Sequence, residues 1–529
     1  MRKQFRYVGG IVAAVCLLGL AASALGETCS LELKKVEGAA TSRSNYLYRA
    51  TSSQHFYKPI GQNVHMPQQP GVAEFKDVIE KEPENYQAEH PIRGVVKLGS
   101  LDFGYVLDSS VKAEKDEEEK AEEAEKEAEA KKEKEEKESG SWLSGLANML
   151  MGEKKKQQQE KKKAFVPVPY DRLYFDLDHD GDLTDEKVIE AESSRNANNN
   201  TYFSTSFSRI DVPIEIDSKE LDYAITLRVT AYGSGDHGYV NGSVNAAAYR
   251  QGEITLDGKK HQILLIDFNS NGRFDDVSEI NKSVRTPDRR VYASAGDRLY
   301  VDPDLEASMR NPYDVTTGDD LFDVGHLVYL GDRFYKMTVT PAGDKLTLEP
   351  SKAAVGFVSN PTKDFCAVVY GDDGMLKIRS DESGKAPVPV GKWKLKNYTL
   401  DRTGFEKEKK AAPKAEPSIL DVLTDALGPT AEARAPRSTT VAATATSKYE
   451  AVEVKEDETV EMPFGPPYKP KVDVQYRQGA NQVSLGLSLI GTAGEACTDM
   501  RVSGKRPGKP KFTISAGDEV VVEGDFEYG

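Results

Sequence analysis

The segment Ile225-Thr226-Leu227-Arg228-Val229-Thr230 alternates apolar and polar side chains at every residue. Successive side chains of a β-strand point to opposite faces, so this period of two predicts a strand with one buried face. The same period recurs at Trp393 and Leu395, and again from Val483 to Leu489. Turn dipeptides such as Asp257-Gly258 punctuate the runs. We therefore predict a mainly β chain with several sandwich-type modules.

Two low-complexity tracts interrupt this pattern. Residues 112–163 are mostly Glu, Lys and Ala with closely mixed charges, which favours helix, and 141–152 has an apolar helical face. Residues 406–448 are rich in Ala, Pro, Lys and Thr, and 418–428 has the capping pattern of a short helix. Both tracts are either solvated linkers or carriers of docking helices. The docking partner would be another protein, a membrane surface or the chain's own body, because isolated short helices are marginal in water.

The N-terminus has the features of a secretory signal over residues 1–26. A basic start precedes an apolar run from Val8 to Leu20, and the small residues Ala24 and Gly26 suit signal peptidase. An uncleaved anchor is the alternative, but the run is short for a spanning helix, which needs about 20 residues. We expect cleavage before Glu27 and an exported protein that is periplasmic, secreted or bound to the cell surface, with no transmembrane span after cleavage.

The length of 529 residues suggests about three domains. We place an N-terminal β region at 27–290, a second β segment at 291–351 and a C-terminal β-sandwich region at 352–529. The net charge of −16 argues against nucleic acid as a partner, because phosphate binding needs a basic face. It suits a protein that gathers divalent cations.

Three cysteines follow the signal segment: Cys29, Cys366 and Cys497. An oxidising compartment favours one disulfide and one remaining thiol. We expect a Cys366–Cys497 bond, because both residues lie in the C-terminal region, with separate buried thiols as the alternative.

The acidic segment 176–186, which we call the first loop, has the spacing of a calcium loop. Carboxylates occupy positions 1, 3 and 5, Gly181 allows the sharp turn at position 6, and Leu183 is an apolar anchor at position 8. The segment resembles the EF-hand loop. The candidate Ca²⁺ ligands are Asp176, Asp178, Asp180, Asp182 (through its backbone carbonyl), and Asp185 or Glu186.

The first loop also departs from the EF-hand pattern. Position 12 is Lys187 rather than Glu, so Asp185 or Glu186 must close the site, as in the shorter loops of dockerin and thrombospondin type 3 repeats. A strand, Leu173–Phe175, leads into the loop instead of a helix. These features indicate a structural site with a Kd of roughly 10⁻⁴ to 10⁻³ M rather than a sensor. The alternative is an acidic turn without an ion, in which the carboxylates would repel one another.

A second loop, residues 267–276, follows another apolar strand and repeats the pattern with fewer charges. Asn271-Gly272 is also a common hairpin turn, so a turn without an ion is the alternative. The candidate ligands are Asp267, Asn269, Asn271, Arg273 at position 7, and Asp275 or Asp276 as the closing residue. The segment 297–304 echoes 171–178 and indicates either a duplicated strand-and-loop unit or a chance match.

The C-terminal region resembles known β modules in two places. Val388–Trp393 and the alternating residues after it resemble a carboxypeptidase-regulatory or transthyretin-like sandwich, and Phe512–Tyr528 resembles the last hairpin of an immunoglobulin-like module. The layout of the whole chain is similar to that of large exported bacterial proteins with several β domains. These resemblances imply fold and not activity.

Catalytic motifs are missing from the sequence. It contains no His-Glu-x-x-His, Gly-x-Ser-x-Gly, Walker loop or Cys-x-x-Cys. We therefore expect an exported, calcium-binding, non-catalytic scaffold or binding protein with a protein or envelope partner. Two alternatives remain open. One is an exported hydrolase that acts on an extracellular polymer, and the other is an envelope tether that uses its helical insertions.

Overall fold

The structure is a computed structural model. It describes residues 26–36, 51–60, 71–111, 167–197, 201–234, 237–284, 286, 288–294, 296–303, 318–403, 438–477 and 482–528. Within these ranges the chain is mainly β with several separate sheets, which confirms the predicted fold class, and its one helix is α1 (Phe75–Val78). No helix in the described ranges is long and apolar enough to cross a membrane. Residues 1–25 of the predicted signal segment 1–26, and the predicted docking helices 141–152 and 418–428, lie outside the described residues.

The strands are numbered in chain order. The first sixteen are β1 (Glu27–Ser30), β2 (Glu32–Lys35), β3 (Gln54–Ile60), β4 (Ile92–Leu98), β5 (Leu101–Asp108), β6 (Arg172–Phe175), β7 (Ile189–Glu190), β8 (Ser193–Ala197), β9 (Tyr202–Ser206), β10 (Ile210–Ile216), β11 (Lys219–Ser234), β12 (His237–Ala246), β13 (Ala248–Leu256), β14 (Lys259–Ile266), β15 (Arg298–Val301) and β16 (Leu321–Asp323). The others are β17 (Leu327–Leu330), β18 (Arg333–Val339), β19 (Lys345–Pro350), β20 (Val355–Ser359), β21 (Phe365–Gly371), β22 (Gly374–Arg379), β23 (Lys385–Pro389), β24 (Gly391–Asp401), β25 (Thr440–Thr444), β26 (Val452–Val454), β27 (Thr459–Glu461), β28 (Lys469–Arg477), β29 (Gln482–Ile490), β30 (Ala496–Arg501), β31 (Lys511–Ala516) and β32 (Glu519–Asp525).

The chain forms two compact units. The first unit consists of Lys34–Tyr249 and Asn269–Arg273. It contains a six-stranded sheet with the order β3-β12-β11-β9-β8, in which β10 also pairs with β11, and a four-stranded sheet with the order β4-β5-β6-β7. The alternating segment 225–230 lies in β11 as predicted, and its apolar residues Ile225, Leu227 and Val229 are buried.

The second unit contains the described residues of Met1–Leu33, Arg250–Phe268 and Phe274–Gly529. Its largest sheet has the order β22-β21-β24-β25-β30-β29-β28, with β26 also paired to β24. Trp393 and Leu395 of β24 are buried, as their alternation predicts, and the Trp393 indole N–H donates to the carbonyl of Pro389 at 2.8 Å. The predicted C-terminal hairpin is present as β31 and β32. Both units are discontinuous in sequence, whereas the domains placed from the sequence are consecutive.

The predicted Cys366–Cys497 disulfide is wrong. Cys366 lies on β21 and Cys497 on β30, and neither forms a disulfide. Strands β24 and β25 lie between them in the sheet. Neighbouring strands are about 4.8 Å apart, so three such steps separate the two cysteines by more than the 4.4–6.8 Å between Cα atoms that a disulfide spans. Sequence distance alone could not reveal the intervening strands.

Two further differences concern the C-terminal region. The second low-complexity tract was placed at 406–448, but β25 (Thr440–Thr444) forms inside its last part, with Val441 and Ala443 buried between β24 and β30. The run Val483–Leu489 does form a strand, β29, yet Val483 is 54% exposed and its partner strand exposes Tyr476 to 63%. A period of two predicts a strand but does not ensure that its apolar face is covered.

The residues on either side of the first tract lie close together. Strand β5 ends at Asp108 and pairs with β6 so that Asp108 is opposite Arg172. The backbone N–H and the hydroxyl of Ser110 donate to the two carboxylate oxygens of Asp171, each at 2.6 Å. These bonds join the chain just before the tract to the chain just after it.

Candidate metal centre

The first loop begins where β6 ends. The backbone N–H of Asp176 donates to the carbonyl of Gly104 at 3.1 Å. The chain then turns through two left-handed residues, His179 with φ +60° and Gly181 with φ +81°. A Cβ on Gly181 would lie 2.9 Å from the carbonyl oxygen of Val78, so both the backbone angle and the close approach favour glycine.

Three carboxylates converge inside this turn. Asp176, Asp178 and Asp180 each place one oxygen within 4.8 Å of the others. Asp178 and Asp180 are exposed, but Asp176 is only 1% exposed. One oxygen of Asp176, Oδ1, accepts the N–H of Asp180 at 3.1 Å. The other, Oδ2, is buried and has no hydrogen-bond partner among the described residues.

Glu186 lies against the start of the loop. Its Oε1 accepts the backbone N–H of Leu177 at 2.5 Å and that of Asp178 at 3.4 Å. Burial raises the pKa of Glu186 above its ordinary value, and burial likewise raises the pKa of Asp176. Asp185, the other candidate for closing the site, is exposed.

The loop is joined to the segment that follows α1. The carbonyl of Gly181 accepts the N–H groups of Glu80 and Lys81 at 2.9 and 3.1 Å, and the N–H of Leu183 donates to the carbonyl of Lys81 at 3.0 Å. The carboxylate of Asp182 contacts Lys81 Nζ at 2.5 Å and accepts the hydroxyl of Thr184. The side chain of Asp182 is therefore engaged outside the cluster, so only its backbone carbonyl suits the predicted role at position 7.

Leu183 anchors the loop, as expected for position 8. It is fully buried and packs with Ile79, Val106 and Tyr174. This contact fixes the loop to the sheet independently of any ion.

The second loop belongs partly to each unit, and its two parts are described separately. In the first unit, the turn again has two left-handed residues, Ser270 with φ +62° and Gly272 with φ +87°. The N–H of Asn271 donates to Asn269 Oδ1 at 3.2 Å, and the N–H of Arg273 donates to Asn271 Oδ1 at 2.8 Å. The first loop has the same two bonds, from Asp180 to Asp178 and from Asp182 to Asp180.

In the second unit, the ends of the second loop meet a carboxylate that sequence reasoning did not select as a ligand. Asp297 and Asp267 are both fully buried. The two carboxylate oxygens of Asp297 accept the N–H groups of Phe268 at 3.0 Å and Asp276 at 2.9 Å. Burial, followed by the charges of Asp267 and Asp276, holds the pKa of Asp297 well above its ordinary value. Asp275 is half-buried. The sequence feature that could have identified Asp297 is the similarity of 297–304 to 171–178, because the similar segment begins at Asp297.

The rest of the segment 297–304 does not repeat the structure of the first loop. Asp302 corresponds to Asp176, and its carboxylate lies 2.8 Å from His261 Nδ1 and accepts the N–H of Gln262 at 2.8 Å. Asp304 lies outside the described residues. The duplication itself stays a prediction.

Comparison of the chain with protein-family models, with curated proteins and with solved structures finds no match. The resemblances to EF-hand-like, carboxypeptidase-regulatory and immunoglobulin-like segments therefore stay expectations from the sequence.

Proposed function

We propose that this chain is an exported, calcium-binding, non-catalytic β-rich scaffold or binding protein, and that its first loop binds Ca²⁺ as a structural clamp. One observation carries the proposal. The Asp176 carboxylate is almost fully buried, and its Oδ2 has no partner among the described residues while two further carboxylates converge on it. A buried charged oxygen without a partner is costly, so a cation that contacts it would stabilise the folded loop.

The chemistry of the donors favours calcium. Calcium takes six to eight oxygen ligands in a flexible geometry, whereas Mg²⁺ demands a near-ideal octahedron. The cluster consists of carboxylates from Asp176, Asp178 and Asp180 and includes no His or Cys donor, and the Glu186 carboxylate accepts the backbone N–H of Leu177 beside it. Glu186 is favoured over Asp185 as the closing ligand, because its carboxylate already lies beside the first two loop residues.

The role proposed is stability rather than signalling. Leu183 and the bonds to Lys81 fix the turn in place without an ion, so binding has little backbone to rearrange. The ion would neutralise the three converging carboxylates of the turn that follows β6. Calcium at the second loop stays a prediction from the sequence, in which amides replace carboxylates at two of the ligand positions.

Calorimetry of the chain without its signal segment tests the proposal. At calcium concentrations about 100-fold above Kd, linkage adds about 2.7 kcal/mol to the free energy of unfolding, so Tm should rise relative to chelator. The double variant Asp176→Ala, Asp178→Ala should lose most of this rise. Asp518→Ala, at an exposed hairpin turn, is the matched control and should keep it. A wild-type Tm that is the same in calcium and in chelator would overturn the proposal.

The tether alternative is separated by deletion. Removing 112–163 and 406–437 leaves every described residue in place. Envelope or partner association that survives both deletions excludes the tether. Partner binding without turnover on a panel of glycans and peptides favours the binding protein over the hydrolase.

A further inference from the structure

The outward face of the six-stranded sheet in the first unit is lined by aligned polar and aromatic residues. Directly opposed residues of antiparallel strands share one face of a sheet. The registers of β3, β12, β11, β9 and β8 therefore place side chains in three rows across this face. The rows are His55, Ser243, Arg228, Ser206 and Ser193; Tyr57, Asn241, Thr230, Ser204 and Arg195; and Pro59, Tyr239, Tyr232 and Tyr202. We call these residues the tyrosine face.

The two sides of the sheet differ sharply in burial. Among the residues that alternate with the tyrosine face, Val229, Ala231 and Val240 of the central strands β11 and β12 are buried apolar side chains. On the tyrosine face, Arg228 and Arg195 are exposed, and Tyr57 is 42% exposed. The other side of the central strands therefore supplies the buried apolar residues, and the tyrosine face keeps aromatic and charged side chains at least partly accessible.

The tyrosine rings form a continuous aromatic surface. The ring centroids of Tyr57 and Tyr239 are 5.4 Å apart with an interplanar angle of 30°, and those of Tyr232 and Tyr239 are 5.2 Å apart at 33°. The row from Pro59 to Tyr202 crosses four strands, and strand spacing makes it about 14 Å long. The negative face of an aromatic ring attracts the polarised C–H groups of a sugar ring, and this length accommodates several rings of a sugar chain.

Beside the aromatic row lie hydrogen-bonding groups. Asn241, Thr230 and Ser204 form the middle of the next row, and Arg228 donates to the hydroxyl of Ser204 at 3.3 Å. Amides and hydroxyls both donate and accept, as the hydroxyls of sugars require. A cavity of about 900 Å³ beside the edge strand β3 has His55, Tyr57 and Arg228 in its lining and adds depth at one end.

The charge of the tyrosine face is opposite to that of the chain. The whole sequence has 86 acidic and 70 basic residues. None of the residues in the three rows, all of them described, is acidic, whereas Arg228 and Arg195 are cations. Glu74 also lines the cavity, but it is ion-paired with Lys76 at 2.8 Å. A guanidinium matches a carboxylate in a bidentate geometry, so the face selects a partner that carries carboxylates.

We propose that the tyrosine face binds an acidic glycan, with sugar rings on Tyr57, Tyr239 and Tyr232 and carboxylates at Arg228 and Arg195. This inference names the partner class of the binding protein proposed above and rests on it in that respect. Single-stranded nucleic acid also uses aromatic and basic groups, but it carries a charge on every nucleotide. The tyrosine face has more hydroxyl and amide groups than cations, which suits a glycan better.

Isothermal titration of the chain without its signal segment tests this proposal. The acidic probes are a hyaluronan decasaccharide and an oligogalacturonate, and the comparison probes are a neutral chitin oligosaccharide, polyglutamate and oligo-dT. We expect at least one acidic oligosaccharide to bind more tightly than every comparison probe. Binding of neither acidic oligosaccharide overturns the proposal. So does equal or tighter binding of polyglutamate or oligo-dT, which would mark a basic surface or a nucleic-acid site.

Variants place the binding on the face. Tyr239→Ala should raise the Kd of the acidic oligosaccharide about tenfold or more, because the substitution removes the central ring of the aromatic row. Tyr57→Ala, at an exposed edge position, should weaken it by a similar factor without disturbing the fold. Arg228→Ala should raise the Kd of the acidic oligosaccharide about tenfold and leave the Kd of the neutral one unchanged. Tyr476→Ala, 63% exposed in the second unit, is the matched control. Unchanged affinity in Tyr57→Ala and Tyr239→Ala overturns the assignment to this face.

The failure of this inference is distinguishable from the failure of the calcium proposal. Each titration is performed in calcium and in chelator, alongside Tm. A calcium-dependent rise in Tm without oligosaccharide binding overturns only the glycan proposal. Oligosaccharide binding without that rise overturns only the calcium proposal.

Discussion

The two acidic loops have nearly the same backbone and very different charge. Each turns through left-handed residues at positions 4 and 6, His179 and Gly181 in the first loop and Ser270 and Gly272 in the second. Each carries the same pair of bonds from backbone N–H groups to side-chain oxygens two residues earlier. Amides serve these bonds as well as carboxylates do. The turn therefore needs oxygen acceptors, but it does not need negative charge.

Charge is what separates the loops. The first loop has carboxylates at positions 3 and 5 and a buried oxygen of Asp176 without a partner among the described residues. The second has Asn269 and Asn271 there, and a buried carboxylate from Asp297 holds its ends through backbone N–H groups. We infer that the fold of such a loop and its affinity for an ion are separate properties, so different substitutions should change one without the other.

The largest effect should come from the apolar anchors at position 8. Phe274→Ala should lower the free energy of unfolding by about 3–5 kcal/mol and Leu183→Ala by about 2–5 kcal/mol, because both side chains are fully buried. Urea denaturation in calcium and in chelator measures both. Val520→Ala, at a 52% exposed position, should change little. A loss below about 1 kcal/mol for either anchor would mean that the loops are not held by packing.

Next in size is the conversion of the first loop to the charge pattern of the second. Asp178→Asn with Asp180→Asn keeps the side-chain oxygens that accept the N–H groups of Asp180 and Asp182. We expect the calcium-linked gain of about 2.7 kcal/mol at 100-fold excess to fall close to zero. Stability in chelator should stay the same or rise, since like charges are removed. Calorimetry measures the stability in calcium and in chelator. An undiminished calcium-linked gain would show that ion affinity does not depend on the charges at positions 3 and 5.

Smaller losses should follow Gly181→Ala and Gly272→Ala. A Cβ would lie 2.9 Å from the Val78 carbonyl in one case and 2.7 Å from the Gly99 nitrogen in the other. We expect a loss of about 1–2 kcal/mol from the left-handed angle plus a cost for the close contact. Gly258→Ala measures the cost of the left-handed angle alone, because Gly258 has a φ of +80° and no heavy atom lies within 4 Å of the added Cβ. Equal losses at all three glycines would show that the contacts do not matter.

The smallest effect should come from Lys81→Met. The hydrogen bond from Lys81, with help from Thr184, lowers the pKa of Asp182 to about 2. A lowered carboxyl pKa stabilises the fold above the ordinary pKa, and this contribution is lost as pH falls towards 2. The variant should move the pKa of Asp182 upward while stability at pH 7 barely changes, because Lys81 is exposed and ion pairs at the surface contribute little. Carboxyl NMR titration in chelator measures the shift, and an unmoved pKa would contradict the assignment to Lys81.

Local patterns predicted much of this molecule. The period of two located β11 and β24, and the spacing from Asp176 to Leu183 anticipated the turn, its glycine and its buried anchor. Pairing between distant segments could not be predicted in the same way. The strands between Cys366 and Cys497, the part of Asp297 in the second loop, and the alignment of Tyr57 with Tyr239 all depend on strand order and register. A single sequence does not specify either of them.

The bonds between Ser110 and Asp171 have a consequence for the integrity of the chain. They join the chain before the first tract to the chain after it, beside the pairing of β5 with β6. We therefore expect the fold to tolerate a domain insertion or a break of the chain within 112–163. Two co-expressed fragments divided there should reassemble and co-purify, and fragments that fail to associate would show that the covalent link is required.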